Sequence, residues 1–139
     1  HGEYLDTLTE RDDWNPSDYA YNLTRRVRGL PLWFSLATHG TKAYATAIDG
    51  NVELAKRIAD EIRTRPHLSL VREPMLSVVV FERDGWTLAD YEAWSNGLLE
   101  SQLAFVVPSS HAGKPNARFA IVNPETTYEL LTQILDTMN

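Results

Sequence analysis

From Asn51 to Arg65 apolar side chains recur at helical spacing, with Val52, Ala55, Ile58, Ala59 and Ile62 on one face. Glu53 with Arg57, and Glu61 with Arg65, stand four residues apart on the other face, where opposite charges pair. Pro66 lacks an amide proton and clashes with the preceding turn, so the helix ends there. A helix with one apolar face has to bury it against something. The chain supplies candidates at once: Leu68–Val71 and Leu76–Phe81 are short apolar runs separated by Glu73-Pro74, and they read as strands. Asp84-Gly85 closes the second.

The remaining segments extend that pattern in both directions. Thr87 to Asp90 has the spacing of a capping box, followed by a helix face of Leu88, Tyr91, Trp94, Leu98 and Leu99. Leu103–Val107 and Ala117–Val122 read as two further strands, joined by a turn at Gly113-Lys114-Pro115-Asn116. Asn123 as N-cap and Pro124 as first helical residue would start a last helix, with Tyr128, Leu131, Ile134, Leu135 and Met138 as its buried stripe. Upstream, Leu30, Trp33, Phe34 and Ala37 fit one helical face. Pro31 lies in its first turn or at a kink, and Gly40 is its stop. Residues 1–22 are polar and aromatic and read as a loop. The order strand, strand, helix, strand, strand, helix after a helical lead-in predicts an α+β fold: a small, mainly antiparallel sheet with helices packed on one face.

A net charge of −6 excludes an electrostatic nucleic-acid binder, and no apolar stretch is long enough to span a bilayer. The absence of cysteine excludes disulfides and thiolate metal sites and fits a reducing compartment, so a cytoplasmic location is expected. His1, His39, His67 and His111 share no metal-ligand spacing, so no metal is expected. Ser109-Ser110-His111 sets a hydroxyl beside an imidazole, but triads are assembled from separate elements. Asp12, Asp13 and Asp18 read as a solvated acidic loop. Arg25, Arg26 and Arg28 are either a charged helix start or a bidentate oxyanion site. Arg118 heads the run Phe119 to Val122, which should form a central, buried strand, and a charge there needs a partner. Either an internal acid such as Glu100 or Glu125 meets it, or a ligand does.

Three segments carry a resemblance to a known family. Thr24 to Leu36, TRRVRGLPLWFSL, followed by His39-Gly40, resembles the arginine-pair signature of group II pyridoxal-phosphate-dependent amino-acid decarboxylases, the family that includes aromatic-L-amino-acid decarboxylases. Val52 to Arg57, VELAKR, is similar to a helical segment of that family, and Ala117 to Thr127, ARFAIVNPETT, is similar to its ending. The three stand in the family's order and cover nearly the whole chain.

The resemblance implies the C-terminal part of a fold-type-I enzyme: residues 1–22 as a loop at the end of the large domain, and 23–139 as the small C-terminal domain with its connecting helix. It implies a homodimer with the remainder of the decarboxylase chain as partner, and an amino acid as small-molecule substrate. Arg118 takes the position of an arginine near the substrate carboxylate. Tyr19 or Tyr21 takes that of a catalytic loop tyrosine, and Thr24 lies near the cofactor phosphate of the neighbouring subunit. The family's Schiff-base lysine follows a histidine, whereas Lys42, Lys56 and Lys114, the only lysines here, do not. Pyridoxal phosphate therefore belongs to the parent enzyme, and this chain alone should be inactive. The competing expectations are another fold-type-I lyase and a free-standing α+β interaction or regulatory domain.

Overall fold

The computed structural model describes Tyr21 and residues 26–139. The chain divides into two compact units, His1–Ala37 and Thr38–Asn139. In the first, the described residues are Tyr21, a turn at Arg28-Gly29 and the opening of helix α1 (Leu30–Thr64). The Trp33 amide donates to the Gly29 carbonyl at 3.0 Å, and Trp33 meets Phe34 edge-on at 5.0 Å. Leu30, Leu32, Trp33 and Phe34 are all exposed within this structure.

Gly40 is a break, not a stop. Its backbone (φ 77°, ψ 156°) is non-helical, and φ is positive where a side chain would be strained, yet helix resumes beyond it and runs to Thr64. The amphipathic helix therefore begins well before Asn51. Its buried residues are Asn51, Leu54, Ala55, Ile58, Ala59 and Ile62. Glu61 pairs with Arg65 at 3.0 Å as its spacing predicts, and Arg65 also reaches Asp136 at 2.7 Å. Glu53 instead approaches Lys56 at 4.0 Å, leaving Arg57 to lie over the Tyr128 ring, 4.5 Å from its centroid.

The second unit builds a four-stranded antiparallel sheet in the order β1-β2-β4-β3, from β1 (Leu68–Leu70), β2 (Val78–Arg83), β3 (Ser109–His111) and β4 (Lys114–Ala120). Register pairs Val79 with Phe119 and Val80 with Arg118. Helices α2 (Leu88–Glu100) and α3 (Tyr128–Asp136) join α1 on one face of this sheet. Val79, Phe81, Ala117, Phe119 and Ile121 pack there with Ile58, Ile62, Tyr91, Trp94, Leu131 and Leu135 in one core. The α+β architecture with helices on one face is thus as the sequence predicts.

Three local expectations are corrected. Leu103–Val107 is not a strand, because its backbone is bonded elsewhere: the Leu103 amide donates to Leu98 at the end of α2, and the Ser95 hydroxyl donates to the Val106 carbonyl at 2.6 Å. The third strand lies at Ser109–His111, and its turn is Ala112-Gly113, not 113–116. Both turn residues have positive φ (49° and 80°), the geometry that matches the twist of a two-residue hairpin. Pro115 falls inside β4, where register pairing with β2 has already ended at Phe81↔Ala117, so its missing amide breaks no ladder bond. Finally, α3 starts at Tyr128 with Thr127 as N-cap, its hydroxyl accepting from the Leu130 amide at 3.2 Å. Asn123 forms a tight turn in its place, its side chain accepting from the Glu125 amide at 3.0 Å.

At the start of α2 the Asp90 carboxylate accepts from both the Thr87 amide and hydroxyl, each at 2.7 Å. These donors, the backbone one foremost, hold the Asp90 carboxyl below its ordinary range.

Candidate functional site

Arg118 lies inside a central strand, but on the uncovered face of the sheet. Strand alternation sends Ala117 and Phe119 into the core and Arg118 with Ala120 outward, beside Val78 and Val80 of β2. The expectation of a buried arginine is corrected accordingly: Arg118 is exposed, so its charge needs no internal partner. Neither Glu100 nor Glu125 pairs with it, and among the described residues no carboxylate does. Arg118 is among the residues that line a cleft of about 190 Å³, with Phe105, Ala120, Thr126 and Leu130. The arrangement offers five donors to a group arriving from outside the chain.

Tyr19, Thr24, Arg25 and the aspartates 12, 13 and 18 lie outside the described residues. Tyr21 is fully exposed, and Arg26 and Arg28 are exposed as well. Strand alternation in β3 puts Ser110 on the face opposite His111 and Ser109 on the same face as His111. Among the described residues no cluster of His, Asp and Glu is able to hold a metal ion, and no helix is long and apolar enough to cross a membrane.

None of the three lysines is buried in this structure. Lys42 and Lys114 are exposed, and the Lys56 side chain is exposed beside Glu53. An amine that must lose its proton near neutral pH needs burial or a neighbouring cation, and none of these settings supplies burial.

Sequence reasoning missed a cleft of about 890 Å³ in the second unit, between α1 and the 124–129 segment. Its signals were the small residues Ala43, Ala47 and Gly50 at helical spacing and the Asn-Pro-x-Thr-Thr segment, neither of which looks like chemistry alone. There Tyr128 donates to the Glu61 carboxylate at 2.8 Å, and this bond, with burial second, holds the phenol above its ordinary range.

The profile of the pyridoxal-dependent decarboxylase conserved domain matches residues 3–84. L-2,4-diaminobutyrate decarboxylase of Acinetobacter baumannii is 32% identical over 81 residues, 57% of this chain and 16% of that protein. Histidine decarboxylase of Mus musculus is 27% identical over 107 residues, 77% of this chain and 16% of that protein. Among solved structures, the glutamate decarboxylase domain of diaminobutyrate-pyruvate transaminase and L-2,4-diaminobutyrate decarboxylase from Vibrio parahaemolyticus aligns with a TM-score of 0.70 at 26% identity, covering 83% of this chain and 26% of that one. Mouse CSAD in apo form aligns with a TM-score of 0.76 at 19% identity, covering 92% of this chain and 31% of that one, a likeness of fold. The chain thus spans from about a sixth of these relatives' length to just under a third.

Proposed function

This chain belongs to the pyridoxal-dependent decarboxylase family, and from that premise we propose that it is the C-terminal part of a longer enzyme that removes the α-carboxylate of an amino acid as carbon dioxide. The observation that carries the reading is the sheet's uncovered face. Val78-Val79-Val80-Phe81 is apolar without interruption, the pattern of a strand covered on both sides, yet Val78 is exposed and Val80 half-buried. Ala120 and Val122 continue the outer surface on β4 and beyond. The rest of a polypeptide several times this long is the natural cover, and a homodimer would add the partner subunit.

In this assembly residues 1–22 end the large domain and 23–139 form the small one with its connecting helix. Bound pyridoxal phosphate supplies the electron sink for decarboxylation, and the lysine that holds it lies outside this sequence, so this chain alone is inactive. Arg118, projecting from the sheet face that this chain leaves open, binds the substrate carboxylate or its near surroundings through charge-assisted hydrogen bonds. The loop at 9–22, with Tyr19 or Tyr21, closes to exclude water. Thr24 lies near the cofactor phosphate of the neighbouring subunit. The family resemblance favours an aromatic amino acid in the cytoplasm, while the relatives' names span diaminobutyrate, tyrosine and histidine.

The test is the native polypeptide. An antibody raised against this chain should detect a protein several times its mass, and that protein, supplied with pyridoxal phosphate, should release labelled carbon dioxide from a carboxyl-labelled amino acid. A native protein of this chain's own size, with no decarboxylase subunit copurifying, contradicts the reading.

A further inference from the structure

We propose that the cleft between α1 and the 124–129 segment binds a small oxyanion, a free phosphate or carboxylate group. Four observations converge there. Lys42 and Arg57 both line the cleft, and among the described residues neither has a carboxylate partner. Arg57 stacks over Tyr128 and forms no ion pair with Glu53, although Asp60 and Glu61 border the adjoining pocket that it also lines. Asn51 lines the same cleft with only 9% of its surface exposed, and its side-chain amide has no partner among the described residues. Its polar atoms are not closed off from solvent, so they are open to a ligand that enters the cleft.

The fourth observation is the start of α3. Thr127 spends its hydroxyl on the Leu130 amide, and the Leu131 amide is taken by the Thr127 carbonyl. The amides of Tyr128 and Glu129 have no acceptor among the described residues, and both residues line the cleft. Free amides at a helix start, with the positive end of the helix dipole behind them, favour an anion. Side-chain amide, stacked guanidinium, lysine and helix terminus all offer donors, and His39 stands at the same cleft. Glu129 is the one acid in the lining and opposes the anion. The site is separate from Arg118, which borders the other cleft, and does not depend on the decarboxylase reading.

Heteronuclear NMR of the chain tests it, with inorganic phosphate titrated in at an ionic strength held constant by sodium chloride, and with succinate in a parallel arm. The expected result is a saturable shift of the Asn51 side-chain amide and of the Tyr128 and Glu129 backbone amides, with phosphate, succinate or both. The arm that saturates identifies the group. Lys42→Ala and Arg57→Ala should each weaken binding about three- to tenfold, the range for partly exposed charge-assisted contacts. Glu129→Gln should tighten it about twofold by removing a like charge near the anion. A purely structural cleft has no reason to show that gain. Shifts that never saturate in either arm, that sodium chloride reproduces, or that survive both cation substitutions unchanged would overturn the proposal.

Discussion

The two faces of the four-stranded sheet are built from the same strands, residue by alternate residue, and are treated differently by the rest of the chain. On one face Val79, Phe81, Phe119 and Ile121 are closed over by three helices. On the other, Val78, Ala120 and Val122 are exposed near Arg118, and Val80 is half-buried. The second face mixes Val78, Val80 and Ala120 with Ser69, Glu82, Asn116 and Arg118, so its apolar part is the Val78, Val80 and Ala120 patch beside the arginine. The first face accounts for why this unit holds together. The second presents an exposed guanidinium beside Val78, Val80 and Ala120.

The contrast makes graded predictions. Phe119, 4% exposed and 4.9 Å from the Phe81 ring, belongs wholly to the covered face. Phe119→Ala should cost about 3–5 kcal/mol in urea unfolding, the scale of a large core cavity. A loss well below that would mean the helices do not close the core. Next comes the tie between α1 and α3, where Glu61 takes Arg65 on one oxygen and Tyr128 on the other. With Arg65 12% and Glu61 22% exposed, Glu61→Gln should cost about 1–2 kcal/mol by weakening both contacts. An unchanged urea midpoint would reduce that network to decoration. The smallest effect is the sharpest for the comparison: Val80→Thr, on the open face, should shift this chain's stability by less than about 0.5 kcal/mol. In the longer decarboxylase the same change should cost more, because the face is then covered. Equal cost in both would remove the reason for a cover.

Much of this was legible before the structure because burial writes a period into the sequence. The 3.6-residue period of Ala55, Ile58, Ala59 and Ile62 and that of Leu131, Ile134 and Leu135 gave the helices that close the core. Boundaries were less legible where side chains compete for backbone groups. Asn123-Pro124 has the form of a helix start, but Asn123 caps a turn and Thr127 takes the helix. Leu103 to Val107 is apolar enough for a strand, yet its backbone bonds go to Leu98 and Ser95, contacts set only by tertiary packing. Arg118 was legible as an anomaly in an apolar strand. Its face was not, because the neighbouring apolar residues on both sides conceal which side is inward. The oxyanion cleft was invisible, since its parts lie far apart in sequence and each alone has an ordinary reason to be there.

The account stands or falls on Arg118, and one paired measurement on Arg118→Ala in the longer decarboxylase tests it. The side chain touches no internal acid and packs on the open face, so the melting temperature should move by no more than about 2 °C. Cofactor should stay bound. If its guanidinium binds the substrate carboxylate out of water, kcat/KM should fall by about 30- to 1000-fold. A variant that melts many degrees lower while keeping near-normal turnover at low temperature would contradict the account and make Arg118 a structural residue.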